Sequence, residues 1–368
     1  MRRSTGIRSA VRLIYTETAK VLGAAAAVLL LITVSGCRKE NVVADIPVFG
    51  GPTDVMLVLS DNGKTQKKTP DTKAVIVDEI QTIHSIKIYA FKHGLEELAG
   101  FVDYPDVEAD QRNFHMHLNA SGQIDFYVIA NDIFADTGNV LDEKSTREEI
   151  ENTRFSGLKS TGNMTAVPMS NMHTKKNGDG NFTFTIEEDN DLPPIIPIEL
   201  TRAMARLSLF LVNASDEGEA KLTSAEISHG PVEAGMFSAD GEPTYTDIPA
   251  TWTFLNSEYK LLNVSGILTE DKYPMLPDEA YILPNTSGSA DPDRYIAQGN
   301  SEESHAYNVE LTFKINETYY KTYTVYIPPV KPNDWIKIYG AVNSHVDVNL
   351  TVQIDSWITN EIEIPPFM

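Results

Sequence analysis

Short alternations of apolar and polar residues recur along most of the chain, and they predict β-strands with one buried face. Turn-forming residues separate these segments, and a helical period sustained over three or more turns is nearly absent. The predicted strands are 54–60, 80–91, 112–118, 123–130, 182–187, 207–212, 221–229, 259–264, 280–283, 306–315, 318–327, 335–342, 346–354 and 357–364. Many short strands joined by turns predict an all-β sandwich architecture.

Two places in the chain favour a helix. Ser145 followed by Glu148 fits a capping box, which predicts a short helix over 145–152. The start of 199–213 also reads as helical before the strand 207–212 begins. The prolines at 193, 194 and 197 break regular structure, so we expect the boundary between two domains there.

An apolar run over residues 21–37 differs from the rest of the chain and ends in Val34-Ser35-Gly36-Cys37. Basic residues precede it, as in a secretory signal, and it is shorter than the roughly 20 apolar residues that span a bilayer. The final four residues resemble the bacterial lipobox. That resemblance implies cleavage before Cys37 and a diacylglycerol on its thiol. The alternative is a transmembrane helix with an incidental cysteine.

The strongly acidic charge of the chain excludes some classes of partner. Residues 1–36 carry five basic side chains and one acidic one, a net +4, so residues 37–368 carry −26 against −22 for all 368 residues. So acidic a chain should repel nucleic acid and anionic lipid headgroups. Cys37 is the only cysteine, so no disulfide can form within the chain.

Length and composition together predict the organisation of the chain. We expect a signal peptide over 1–36, a lipid-anchored tether over 37–53, and two β-sandwich domains over 54–196 and 197–368.

Candidate chemistry is sparse. His115 and His117 share one face of a predicted strand, but a metal site needs at least a third ligand, and a solvated face is favoured. The segment NGDGN at 177–181 reads as a turn rather than a calcium loop, because no Glu follows at the twelfth position. Nucleophile-elbow and P-loop motifs are absent from the sequence. We therefore predict neither a cofactor nor a bound metal.

Tyrosines form a second set of candidates, on the predicted strand 318–327. They could form a sugar-binding platform or a cross-strand packing face, and packing is the commoner use. These tyrosines are Tyr319, Tyr320, Tyr323 and Tyr326. Paired carboxylates such as Glu148-Glu149 would suit a glycan-processing enzyme only if they faced a cleft. The sequence favours a structural or binding role over an enzyme.

A series of short motifs follows the lipobox in a fixed order. These are DVMLVLS with the lysine-rich KTQKKTPDTKAV, IHSIKIYAF, QIDFYVIANDIFADTG, AVPMS, ELTRAMARLSLF with Arg202 and Arg206, VKPNDWIKIYGAV and VQIDSWITNEIEI. Together they resemble the FimA-type major fimbrillin family, the subunits of the type V pili of Bacteroidales. The resemblance covers nearly all of the chain after Cys37, and it rests on order and spacing because each motif is short.

This resemblance implies two transthyretin-like β-sandwich domains carried to the outer membrane as a lipoprotein. It also implies that an arginine-specific protease removes the first strand, and that a strand of the next subunit fills the groove by β-augmentation. The donor would come from the C-terminal strands 346–354 and 357–364. Its groove-filling side chains would be Val348, Leu350, Val352, Ile354 and Trp357.

The chain departs from the family at the cleavage point. The sequence contains no arginine between Arg38 and Arg112, so the bond between Lys73 and Ala74 is the best-placed one. Either a protease of another specificity acts, or the subunit stays uncut and anchors the pilus. The expected role is a pilus subunit that serves adhesion, with other fimbrial subunits, the outer membrane and surface ligands as partners. The alternatives are an anchor, accessory or tip subunit, or a monomeric lipoprotein that binds surface glycans or proteins.

Overall fold

The structure, a computed structural model, describes residues 48–61, 83–108, 111–132, 141–156, 166–171, 182–188, 192–238, 241–244, 251–285 and 307–357. The predicted all-β fold class is confirmed. The first half contains β1 Thr53–Asp61, β2 Ile86–Lys92, β3 Leu98–Tyr104, β4 Asn113–Leu118, β5 Gly122–Ala130, α1 Arg147–Glu151, β6 Arg154–Ser156, β7 Met169–Ser170, β8 Thr183–Ile186 and β9 Ile195–Arg202.

The N-terminal strands form one curled sheet in the order β3-β2-β5-β7-β9-β1-β4, with β8 paired to β5. Its two end strands approach each other, because the amide of Asn119 donates to the carbonyl of Ala99 at 2.7 Å. Gly100 makes this approach possible, since a Cβ there would lie 2.6 Å from the carbonyl oxygen of His117. The curled sheet encloses an apolar core built from alternate side chains of these strands.

The second half forms two sheets that enclose their own apolar core. Its elements are β10 Ala205–Asn213, β11 Ala220–Ser228, β12 Glu233–Gly235, β13 Thr251–Thr253, β14 Tyr259–Lys260, β15 Leu262–Asn263, a 3-10 turn Glu270–Lys272, β16 Met275–Ile282, β17 Asn308–Ile315, β18 Tyr319–Tyr326, β19 Asp334–Val342 and β20 Val348–Ser356. One sheet runs β15-β10-β19-β20 with β16 beside β10, and the other runs β13-β11-β17-β18 with β14 beside β11. This arrangement is a β-sandwich.

A third apolar cluster joins the two halves. It combines side chains of the first half, such as Tyr127 and Phe155, with side chains of the second half, such as Phe237 and Trp357. The short strands β6 and β12 pair across the same junction. Residues Val48–Met368 accordingly form one compact unit. The proposed boundary at 196/197 falls within β9, which pairs with β1 and β7 of the first sheet, and the two-domain division stays a prediction.

The short helix begins at Arg147 rather than at 145, and its N-cap lies one residue later than expected. Thr146 is the N-cap, and it forms the capping box with Glu149. Ser145 instead accepts a hydrogen bond through its hydroxyl oxygen from the amide of Asp142, at 2.9 Å. The expected helical start of 199–213 is wrong, because β9 continues to Arg202 and β10 begins at Ala205.

A buried ionic network fixes the loop ends beside β5. Asp125 on β5 is 1% exposed and accepts hydrogen bonds from Arg147 Nη1 at 2.7 Å, Thr183 Oγ1 at 2.7 Å and His93 Nδ1 at 2.8 Å. The Arg147 side chain is only 12% exposed, so its charge is stabilised mainly by hydrogen bonds to this carboxylate and to nearby carbonyls instead of to water. Removing one partner would leave the other charge buried and unpaired.

We therefore predict that Asp125→Ala lowers the free energy of unfolding by about 3–5 kcal/mol, because the Arg147 guanidinium stays buried without its carboxylate. Urea unfolding followed by tryptophan fluorescence measures the change. The matched control is Asp54→Ala, whose carboxylate is 69% exposed and pairs with the equally exposed His117. The control should change stability by about 1 kcal/mol or less. Equal effects of the two variants would contradict a stabilising role for the buried network.

Candidate functional site

The first strand, β1, lies inside the N-terminal sheet with a neighbour on each side. It pairs in parallel with β9, from Met56 opposite Ile195 to Asp61 opposite Leu200. On its other side it pairs antiparallel with β4. Both rows of its backbone hydrogen-bonding groups are therefore used within the subunit. Its removal would expose the edges of two strands at once.

The side chains of β1 alternate strictly between core and surface. Val55, Leu57 and Leu59 are 0%, 0% and 3% exposed and belong to the N-terminal core. Asp54 and Ser60 are exposed on the opposite face. The strand thus occupies a slot lined by apolar groups of the core, and every second side chain of the strand points into that slot.

The structure does not place the residues expected to be processed. Cys37 and the signal peptide precede residue 48, and Lys73 and Ala74 lie in 62–82, between β1 and β2. Both lie outside the described residues, so lipidation and cleavage stay predictions. The segment 62–82, which contains Lys73 and Ala74, directly follows β1, the strand that pairs with a neighbour on each side.

The expected donor segment contains β20, a strand with one neighbour among the described residues. It pairs antiparallel with β19 over nine positions, from Asp334 opposite Ser356 to Val342 opposite Val348. It lies at the end of its sheet. The strand begins at Val348 rather than 346, because residues 343–347 form a turn closed by the amide of Asn343 donating to the carbonyl of Asp347 at 2.9 Å.

The four β-strand residues expected to fill a groove face the core of their own subunit. They are only partly buried, and they pack against the C-terminal apolar cluster. These residues are Val348, Leu350, Val352 and Ile354. Their alternation resembles that of the inward side chains of β1, so both strands present apolar groups at every second position.

An ion pair also attaches β20 to its neighbour. Asp355 accepts from Lys337 Nζ at 2.7 Å on the outer face of the sheet, and Lys337 lies 4.2 Å from the centroid of the Trp335 ring. The hydrogen bond from Lys337 lowers the pKa of the Asp355 carboxyl. The lowered pKa means that this contact strengthens the sheet above the usual carboxyl pKa and weakens as the carboxyl is protonated.

Trp357, which follows β20 directly, differs from the other expected donor residues. It is 1% exposed and lies in the cluster that joins the two halves, not among the groups facing the C-terminal core. It is not part of a strand, and the rest of 357–364 lies outside the described residues.

Arg202, at the end of β9, holds Trp357 by its ring and by its backbone. The guanidinium carbon lies 4.7 Å from the ring centroid, and Nη1 donates to the Trp357 carbonyl at 3.2 Å and to Asn333 Oδ1 at 2.9 Å. The amide of Trp357 donates to the carbonyl of Asn333 at 2.8 Å. The end of β20 is thus fixed to a strand of the first sheet.

Arg206 has a different role from Arg202, although sequence analysis singled out both. It forms a two-pronged contact with Glu279, with Nε and Nη2 donating at 2.8 and 2.9 Å. Ser208 donates to the same carboxylate, and Trp335 Nε1 donates to Ser208 Oγ at 2.9 Å. The family resemblance marked the two arginines, but their partners lie 73–155 positions away and carry no local signal.

The remaining candidates do not gather into a site. His115 and His117 lie on the exposed face of β4, as expected, and the described residues contain no group of three metal-ligating side chains. The tyrosines of β18 do not share one platform: Tyr323 packs on the core, whereas Tyr320 is exposed on the other face. The segment 177–181 lies outside the described residues. No helix in the described part of the chain has the length and apolar character needed to cross a membrane.

Comparisons with solved structures reveal relatives of this fold. No protein-family model and no curated protein matches the chain. The tip fimbrial protein Mfa3 from Porphyromonas gingivalis, with a C-terminal truncation, is 14% identical, with coverage of 83% of this chain and 100% of that one and a TM-score of 0.54.

Two further structures match to a similar extent. A candidate cell adhesion protein from Parabacteroides distasonis ATCC 8503 is 14% identical, with 86% and 99% coverage and a TM-score of 0.52. The fimbrilin FimA from Porphyromonas gingivalis W83 is 12% identical, with 84% and 98% coverage and a TM-score of 0.51. At these identities the comparisons show that the chain shares the fold of these fimbrial and adhesion proteins.

The geometry of β1 yields a stability prediction. Leu57→Ala should lower the free energy of unfolding by about 2–5 kcal/mol, because the side chain is fully buried and its loss leaves a cavity. Met56→Ala, on the opposite face of the same strand, is the matched control and should change it by about 1 kcal/mol or less. Chemical denaturation of both variants measures the difference. Equal losses would contradict the assignment of Leu57 to the interior slot.

Proposed function

We propose that this chain is a structural subunit of a cell-surface fimbria that polymerises by exchange of β-strands and serves adhesion. The observation that carries the proposal is the contrast between two strands. β1 has neighbours on both sides and fills an apolar slot, whereas β20 lies at the end of its sheet and presents the same alternation. One strand can be replaced, and the other can serve as the replacement.

The physical gain follows from backbone pairing and burial. A subunit without β1 has an unpaired edge on β4 and another on β9, and its core lacks the side chains of Val55, Leu57 and Leu59. A donor strand satisfies both edges and refills the core in one step. Val348, Leu350, Val352 and Ile354 have the spacing that such a slot requires.

Export and maturation form a further part of the proposal. The chain would travel as a lipoprotein attached through Cys37 to the outer membrane and reach the cell surface. Cleavage in 62–82, with Lys73–Ala74 as the best-placed bond, would separate β1 from the rest of the chain. An uncut subunit would keep β1 and its lipid, and it would then anchor the pilus. No catalytic activity, metal or cofactor enters this role.

The relatives support the proposal through the shared fold, and they include both a tip fimbrial protein and a fimbrilin. The order of preference is a stalk subunit first, then an anchor or accessory subunit, then a tip subunit. A monomeric lipoprotein that binds surface glycans or proteins is the rival role. The two kinds of role differ in whether the cut chain polymerises.

A disulfide lock on β20 tests the donor role. In a chain with Cys37→Ser and a site for a specific protease placed in 62–82, Ala341→Cys with Asn349→Cys joins facing positions of β19 and β20. After cleavage, we expect the oxidised protein to stay monomeric and to polymerise once reductant is added. Size-exclusion chromatography and electron microscopy follow the polymer.

The matched control is a lock on a strand that should not leave. Thr312→Cys with Thr322→Cys joins facing positions of β17 and β18, where the two hydroxyl oxygens lie 2.8 Å apart. This variant should polymerise equally well with and without reductant. Polymerisation of the oxidised β20 variant at the unlocked rate would contradict donation by β20. A monomer in every condition would favour the rival binding role.

The N-terminal residue of the protein taken from cells tests the maturation step. In the polymerised fraction we expect Ala74 as the first residue, because only a chain cut after β1 has an open slot. A membrane-bound fraction that begins at lipidated Cys37 would represent uncut subunits. N-terminal sequencing and mass spectrometry of both fractions make the measurement. Polymer whose subunits all begin at Cys37 would contradict removal of β1.

A further inference from the structure

Outside β1 and β20, Trp357 and Arg202 form a buried contact. Trp357 follows the last residue of β20, and Arg202 is the last residue of β9. Both are essentially inaccessible to solvent, at 1% and 0% exposed. A planar cation stacked on an indole in a desolvated site is among the strongest contacts of its kind.

The contact fixes both the ring and the backbone of Trp357. Arg202 donates to its carbonyl, Asn333 accepts from its amide, and the Tyr281 ring lies 5.5 Å from its ring. Along its length, by contrast, β20 pairs with β19 alone among the described residues, and its inward side chains are only partly buried. The firmest attachment of this segment therefore lies at its end.

One feature of the same contact favours its opening. The indole Nε1 of Trp357 is buried and makes no hydrogen bond within the described part of the chain. A buried donor without an acceptor is destabilising, and water would satisfy it once the ring left its place. Departure would also admit water to the Arg202 guanidinium. The closed state is thus held by ring stacking and backbone contacts rather than by every polar group.

Removal of β1 would not by itself disturb this contact. Although β9 pairs with β1 up to Leu200, its end is held separately by β7, with Thr201 opposite Ser170 and Arg202 opposite Met169. The next amide, of Ala203, donates to the carbonyl of Pro168 at 2.9 Å. Arg202 therefore lies on the last part of β9, whose backbone pairing does not depend on β1.

We infer that Trp357 and Arg202 form a latch that keeps β20 on its own subunit both before and after β1 is removed. The inference rests on the proposed function, because it assigns a regulatory step to the donor strand. In this scheme cleavage opens the acceptor slot but does not free the donor. Opening of the latch is then a separate step that limits assembly.

Hydrogen exchange on the full chain tests the latch without any polymer. Trp357→Leu removes the ring face, and Asn333→Gly removes the Oδ1 acceptor while tolerating the positive φ of 63° at this position. We expect the amides of β20 to exchange at least about tenfold faster in Trp357→Leu, the change that a contact of roughly 1.4 kcal/mol produces. Asn333→Gly should give a smaller rise in the same strand.

The strand β18, which lies at one end of the facing sheet, is the internal reference, and its exchange should not change. Phe254→Leu is the matched control, because Phe254 is fully buried in the C-terminal core and is not among the residues that hold Trp357. General loss of stability in this control should raise exchange in β18 and β20 by the same factor. Equal acceleration of the two strands in Trp357→Leu would mean an ordinary core residue and would overturn the latch.

Assembly of the cut chain separates failure of the latch from failure of the proposed function. Trp357→Leu should polymerise several-fold faster than the parent chain, as measured by light scattering. Faster exchange of β20 with an unchanged assembly rate would overturn its control of assembly. Polymerisation of the parent and of the variant at one rate, with β20 exchange also unchanged, would remove the latch and leave strand exchange intact. Faster exchange without polymer from any cut chain would support the latch and remove strand exchange.

Discussion

A strand in the interior of a sheet must satisfy two rows of backbone donors and acceptors, and β1 is such a strand, although it is the first strand of the chain. It separates β4 from β9 and contributes Leu57 and its inward neighbours to the first core. Because the whole N-terminal sheet curls around that core, β1 is needed to complete both the sheet and its apolar interior. Whatever occupies its position must be extended, alternate in polarity and pair on both sides.

The core of the second half does not depend on β1. The C-terminal sandwich has its own apolar interior, and the cluster around Tyr127 and Trp357 joins it to the first sheet. Loss of the first strand would therefore leave most of the molecule folded. The third cluster has a further effect, since it ties the end of β20 to the first sheet through Trp357.

Sequence alone predicted the alternating strands well, because alternation is a local property: β1, β4, β5 and β20 lie within one or two residues of their expected positions. It missed β9, where three prolines suggested a break. Pro197 is tolerated because β7 pairs with β9 only at Thr201 and Arg202, so no ladder bond is lost on that side. It also missed the partners of Arg202, since a contact 155 residues away leaves no trace in spacing. The expected cut and the lipid anchor lie outside the described residues and keep the standing of predictions.

The difference between one-sided and two-sided strands gives the proposed assembly its direction. A strand that leaves the end of its own sheet gives up one ladder of hydrogen bonds, and in a vacated interior position it gains two. The exchange is therefore favourable in backbone pairing before any side chain is counted. The inward side chains of β20 are only partly buried in their own subunit and would be fully buried in the slot of β1. This extra apolar burial makes the free energy of the exchange more favourable. A favourable exchange needs a restraint if subunits are to reach the surface as monomers, and the burial of Trp357 against Arg202 is placed at the one end of β20 where such a restraint acts.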